Sequence, residues 1–286
     1  MSKGSTVMYI LGKGHSGSTL VNLVLGNSKY CFSLGEIKYL EQTNYDKERF
    51  VCDCGQPLKT CDFWSNIKKP RKFFNRKVSF TKKCAILLEF LGLKTKKEHF
   101  ESKEFYEHLL QKAKGHKGEE VNTLIDSSKD FTRAMYLSNI GVDIKFLHVI
   151  KDIRNFAYSD YKRGRFSWYL IWSWFLVNTL IPILSKLTSK QYYRISYEKF
   201  TKNWEEYLPY LNSFTNLQLD KDNLISDMNK EQYHNFAGNP MRTKELKEIY
   251  HDDKWKENLP VYLKFILTVL FFIPNYLLVY RDSSNL

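Results

Sequence analysis

The sequence predicts a P-loop-like, three-layer α/β/α fold around a central, mostly parallel sheet, and three observations carry that expectation. Short apolar runs ending in polar residues alternate with helical patterns, as expected of strands whose C-terminal ends face a ligand crevice. The first run passes straight into a Gly-Ser-rich turn and then a helix, VMYILGKGHSGSTL. At 286 residues the chain can bury a sizeable core, and one domain over residues 1–286 is expected.

The first strand is read at Thr6 to Leu11 and the first helix at Ser18 to Leu25. Unpaired N–H groups at a helix start, and the macrodipole, favour an anion. Gly14, His15, Ser16, Gly17, Ser18 and Thr19 are therefore expected to hold a phosphorylated or sulfated ligand, with positive charge from Lys13 or His15. Gly12, Gly17 and the hydroxyl pair nearly satisfy the Walker spacing, yet Ser18 stands where a nucleotide triphosphatase places its lysine.

The second strand, Tyr30 to Leu34, leads to Glu36 in SLGEIKYL and a helical Ile37 to Thr43. A carboxylate beside an anion loop is poorly suited to holding the anion and well suited to accepting a proton from an attacking hydroxyl. A first-turn carboxylate favoured by the helix dipole is the plainer reading.

From Asp46 to Gly118 no comparable strand appears, apart from a helical Glu101 to Lys114, and an insertion over the site at about 46–118 is expected. Its run CDCGQPLKTCDFW carries Cys52, Cys54 and Cys61, half of a metal knuckle, with Cys31 or Cys84 as candidate fourth ligands. The C-x-C spacing is tighter than the usual C-x2-C and no second pair follows. Free thiols and no metal are the expectation. The same stretch holds Lys68, Lys69, Arg71, Lys72, Arg76, Lys77, Lys82, Lys83, Lys94, Lys96 and Lys97, interleaved with Phe73, Phe74 and Phe80. Such a run is a solvated face, or a surface for an acidic acceptor or lipid headgroups.

The third strand, Val121 to Asp126, ends in Asp126 to Lys129 before a helix at Thr132 to Ile140. The fourth, Ile144 to Ile150, runs into KDIRNFAYSDYKR. Lys151 at its tip and Ser159 eight residues on can reach one further phosphate, with Arg154, Lys162 and Arg163 adding charge. Asp152 has an alternative role as a Walker B carboxylate holding Mg²⁺, the feature that favours an NTP-dependent kinase or NTPase. A helical stretch from Asn155 to Leu187, in one or two pieces, a strand at Gln191 to Ile195 and a helix at Tyr197 to Tyr210 follow.

Two stretches, Trp168 to Leu187 and Val261 to Tyr280, approach the roughly 20 apolar residues that span a bilayer. Asn178 and Pro182 interrupt the first, and Lys264 and Pro274-Asn275 the second. Buried or interfacial helices are expected, the second forming an apolar C-terminal segment at about 258–280. No basic-then-apolar leader opens the sequence, so a cytoplasmic location is expected, with peripheral contact with anionic membrane. The net charge of +13 suits nucleic acid, a membrane surface or a polyanionic small molecule, and charge alone does not choose among them.

The ordered motifs resemble those of sulfotransferases that use 3′-phosphoadenosine 5′-phosphosulfate (PAPS), in particular the carbohydrate- and tyrosylprotein-directed branch and its bacterial relatives. GHSGSTLV resembles their 5′-phosphosulfate loop and KDIRNFAYS, with Lys151 and Ser159, their 3′-phosphate motif. IDSSKDFTRAMYL, with Asp126, Ser128, Lys129 and Arg133, is similar to an intervening run of the bacterial members, as is CDCGQPLKTCDFW. YYRISYEKF and HNFAGNPMR, His234 to Arg242, followed by DDKW at Trp255, are similar to their later segments. The chain departs from the pattern at His15, where the family has Arg or Lys, and at Lys151, where it has Arg. The resemblance implies a PAPS-dependent sulfotransferase acting on a carbohydrate, lipid, small-alcohol or tyrosine hydroxyl, requiring no metal and binding no nucleic acid. Glu36 becomes the base, and His15 with Lys13 or Lys129 offsets leaving-group charge. Lys151, Ser159, Arg154 and Arg242 serve the 3′-phosphate. A non-catalytic membrane-surface protein with a vestigial nucleotide fold is the other alternative.

Overall fold

The computed structural model describes residues 5–42, 51–67, 80–93, 100–188, 190–231 and 233–281. The lysine-rich runs 68–77 and 94–97, with Phe73 and Phe74, lie outside the described residues.

Five strands form one parallel sheet in the order β2-β3-β1-β4-β5: β1 Thr6–Leu11, β2 Cys31–Gly35, β3 Thr123–Asp126, β4 Ile144–Ile150 and β5 Tyr192–Ser196. Chain order reverses around β1, which sits between β3 and β4, so the crevice at its C-terminal end is the switch point where such sheets bind ligands. The pleat sends successive side chains to opposite faces. Val7, Tyr9 and Leu11 join one buried cluster, Met8 and Ile10 another, and sequence alternation thereby becomes two cores.

The helices are α1 Ser18–Gly26, α2 Phe80–Phe90, α3 Phe100–Lys117, α4 Phe131–Asn139, α5 Ile153–Tyr161, α6 Trp168–Leu187, α7 Tyr197–Lys202, α8 Trp204–Thr215, α9 Leu224–Lys230, α10 Trp255–Asn258 and α11 Val261–Asn275. Residues of α1, α7 and α8 pack on the Met8/Ile10 face, while α2, α3, α4 and the cysteine loop cover the other. This is the expected three-layer arrangement; the cysteine loop, α2 and α3 lie between β2 and β3 in the chain. All five strands stand within two residues of their expected bounds. The segment after Glu36 is a 3₁₀ turn, Ile37–Gln42, and the helix expected over Tyr197 to Tyr210 divides at Asn203.

Helix α6 runs unbroken through Asn178 and Pro182. The Asn178 amide donates to the Trp174 carbonyl at 2.8 Å and its Oδ1 meets His148 Nε2 at 2.8 Å, so the polar group is satisfied inside the core rather than ending the helix. Pro274 does bend α11, which leaves helical geometry at Phe271. Both α6 and the segment Val261–Tyr280 are long and apolar enough to cross a membrane. Each also buries one stripe, Ile171, Trp174 and Ile181 in α6, and Leu263, Leu267 and Phe271 in α11. Their outer faces expose Tyr169, Trp172, Leu176, Phe265, Phe272 and Ile273, and Trp172 and Phe271 meet ring to ring at 5.4 Å.

Candidate active site

The turn between β1 and α1 has the backbone its glycines allow. Gly12 and Gly17 adopt φ of 135° and 88°. A Cβ on Gly12 would lie 2.3 Å from the Val149 carbonyl, and one on Gly17 would lie 2.2 Å from the Tyr197 ring. Both glycines are set by close packing as well as conformation. Gly14 faces open space, which leaves its backbone approachable from the cleft. Gly17 caps α1 without a side-chain hydrogen bond, so the first-turn amides of that helix have no intrahelical acceptor. Ser16 Oγ is buried with no hydrogen-bond partner among the described residues. An orphaned hydroxyl under an uncapped helix start is the donor set of an anion cradle.

A cleft of about 940 Å³ opens over this turn. Lys13, Gly14, His15, Gly17, Ser18, Thr19, Glu36, Lys129, Lys151 and Ser159 all line it, so four strand ends converge as the parallel sheet requires. Lys129 Nζ donates to Glu36 Oε1 at 2.5 Å, and Lys38 Nζ stands 3.7 Å from Oε2. Glu36 is 8% exposed, held by β2 on one side and by segment 234–236 on the other. Phe236 N–H donates to the Leu34 carbonyl, and Glu36 N–H to the Phe236 carbonyl at 2.7 Å. Gly35 is required between them, because its φ is 73° and a Cβ would lie 2.5 Å from Phe236 O.

His15 and Lys129 both take positive φ, 68° and 60°, at the cleft wall. Non-glycine residues in that region cost free energy and cluster where side chains must be aimed. Burial and the cations Arg163, Arg165, Lys129 and Lys151 push His15 down to about 4, so its ring is neutral at pH 7. Arg163 Nη1 donates to that ring at 3.1 Å. Lys129, Arg163 and Lys13 also stand at the cleft wall; burial lowers the pKa of Lys13, whose Nζ donates to Ser173 of α6 at 2.8 Å.

Lys151 is 6% exposed, with Nζ 4.1 Å above the Tyr197 ring, and burial pushes its pKa down to about 8. Tyr197 thus touches Gly17 on the loop and Lys151 at the tip of β4, joining the two strand ends. Ser159 Oγ donates to Asn155 O at 3.0 Å.

Two expected cations are engaged elsewhere. Arg154 faces α11, donating to both Asp152 oxygens at 3.0 and 2.6 Å and lying 4.4 Å over Trp255. Arg242 pairs with Asp53 in the cysteine loop. Lys162, Arg163 and Arg165 line the cleft in their place. Asp152 is fully buried, caps α5, and accepts from Asn275 and from Tyr280 at 2.6 Å. That closed set of partners does not suit a Walker B carboxylate. Lys38, Tyr197 and Arg165 were not expected at the site, although Lys38 stands in SLGEIKYL and Tyr197 is the tyrosine of the YE run after β5.

Neither a protein-family model nor a curated protein matches the chain. Among solved structures it is similar to the sulfotransferase domain of the olefin synthase of Synechococcus PCC 7002, with a TM-score of 0.51 and 17% sequence identity over 95% of this chain and 96% of that one. At that identity the likeness extends to the fold, and the chain has a sulfotransferase-like P-loop α/β architecture with its loop at the switch point.

Proposed function

We propose that the protein is a sulfotransferase that moves a sulfuryl group from PAPS to an acceptor hydroxyl. The supporting observation is the cleft in which the β1–α1 loop, the Glu36–Lys129 pair and Lys151 with Ser159 meet. The donor supplies the activated sulfuryl group. The amides of residues 14–19 and the hydroxyls of Ser16, Ser18 and Thr19 bind its 5′-phosphosulfate, and Lys151 and Ser159 select its 3′-phosphate. Glu36 takes the acceptor proton as the acceptor oxygen bonds to sulfur and the bond from sulfur to the bridging oxygen breaks. Lys129, 2.5 Å from Glu36, serves both ends of that displacement: it orients the base and offsets charge on the departing adenosine 3′,5′-bisphosphate. Neutral His15 donates a hydrogen bond rather than a charge.

The acceptor enters beside α6, which contributes Val177 to the cleft and exposes an apolar face outward. A peripheral contact of that face with anionic membrane is part of the proposal. Incubation with sulfur-labelled PAPS and a cell extract, followed by fractionation, tests the activity. Label is expected in a discrete sulfate ester of the acceptor; its absence from every fraction, with PAPS intact, overturns the reading.

A further inference from the structure

We propose that Cys52, Cys54, Cys61 and His234 bind one zinc ion in a closed Cys₃His site that fastens the loop after α9 to the edge of the sheet. The four ligand atoms lie within 4.8 Å of one another. His234 Nδ1 stands 3.3 Å from Cys61 Sγ and 3.6 Å from Cys52 Sγ, and Cys54 Sγ stands 3.7 Å from Cys61 Sγ. Zinc bonds of about 2.3 Å to sulfur and about 2.0 Å to nitrogen give a tetrahedron with edges of about 3.8 Å between sulfurs and about 3.5 Å from sulfur to nitrogen. The separations His234–Cys61, His234–Cys52 and Cys54–Cys61 match those edges closely, and the remaining pairs lie within 4.8 Å, a short inward movement from them. Cys31 and Cys84, the fourth ligands considered from sequence, are not part of the cluster.

The surroundings are those of a structural site. A tight turn presents the thiols: Cys52 N–H donates to Gln56 O at 2.9 Å, Gly55 N–H to Cys52 O at 3.0 Å, and Gly55 takes φ of 82°. Cys52, Cys61 and His234 are buried beside Phe63 and Trp64, with Phe63 stacked on Phe32. Trp64 Nε1 donates to the His234 carbonyl at 2.7 Å, fixing the backbone. His116 Nε2 lies 2.8 Å from His234 Nε2. A proton on His234 Nε2, donated to His116, leaves Nδ1 free toward the thiols, the outer-shell arrangement that orients ligating histidines. Three thiolates around Zn²⁺ leave one net negative charge. Lys112, whose Nζ is buried without a hydrogen-bond partner among the described residues and lies 5.7 Å from the Phe63 ring centre, answers it.

Four protein ligands leave no open position, so the ion has a structural rather than catalytic role. Its effect reaches the cleft through the chain: His234 is two residues before Phe236, which pairs with the backbone on either side of Gly35, and Gly238 to Met241 line the cleft. The inference is independent of sulfuryl transfer, because metal content is measured without any acceptor.

The test is elemental analysis of the full chain purified reduced and without chelator, followed by mercurial titration of its thiols. One zinc per chain, released as three thiols react, is expected. Cobalt exchange should give the spectrum of a tetrahedral thiolate site. His234→Cys should retain the ion, and His116→Ala should weaken zinc binding by about 10–100-fold. His234→Ala should lose it, and the wild-type count decides the matter if that variant does not fold. Three findings would each overturn the site: no zinc as isolated with none taken up on addition, a disulfide among these cysteines in freshly prepared protein, or zinc unchanged in folded His234→Ala.

Discussion

Glu36 and Lys129 form the contact on which the proposed transfer turns, and the two can be separated experimentally. Glu36→Gln keeps the shape and removes the proton acceptor. We expect donor binding within a few-fold of wild type and kcat lower by about 10²–10⁴, the usual worth of a positioned base. Full activity in that variant would remove Glu36 from the chemistry. Lys151 supplies the pH dependence. Its pKa, lowered to about 8 by burial, leaves the ammonium charged below that pH and neutral above it. Affinity for adenosine 3′,5′-bisphosphate should therefore be level below about pH 8 and fall as pH rises through it, by at most about tenfold per unit. Calorimetric titration from pH 6.5 upward checks this, and Lys151→Met should bind weakly with that step gone. An unchanged step in Lys151→Met would place the titration elsewhere.

At the scale of the elements, the β1–α1 turn is bound to Tyr197 after β5 through a glycine. Gly17→Ala forces a Cβ into the Tyr197 ring and a side chain into positive φ, and strain of that kind costs about 1–3 kcal/mol. A lowered melting temperature and loss of the stabilisation given by adenosine 3′,5′-bisphosphate are expected, whereas Gly14→Ala, which meets nothing within 4 Å, should fold normally. Equal melting temperatures for the two variants would contradict the packing argument. This turn was legible in the sequence because strand, glycines and helix are contiguous and each carries its own local signal. Arg154 was misplaced because charge and position along α5 do not reveal that Asp152, two residues earlier, caps the helix and captures the guanidinium. His234 was invisible as a partner of the cysteines because the loop carrying it joins them only through the pairing of Phe236 with β2. The apolar stretch of α6 was read as broken by Asn178 and Pro182, and only the tertiary contact with His148 shows how the polarity of Asn178 is satisfied within the helix.

Across the whole molecule, a net charge of +13 accompanies an exposed apolar face on α6 and α11. Basic charge and apolar area act together at an anionic interface, and the charge contribution is screened by salt. Flotation should show the protein rising with vesicles rich in phosphatidylglycerol, less so at high salt, and remaining behind with phosphatidylcholine alone. Absence from both vesicle types would remove the membrane contact. The central claim is that the cleft at the switch point, which lacks the Walker lysine and turns Asp152 away into a closed set of partners, serves PAPS rather than a nucleoside triphosphate. Calorimetric titration of the wild-type chain with adenosine 3′,5′-bisphosphate and, separately, with ATP and Mg²⁺ tests it most directly. The account predicts saturable binding of the bisphosphate at one site, at least about tenfold tighter than ATP, or about 1.4 kcal/mol; equal affinity for the two, or preference for ATP with Mg²⁺, would contradict it.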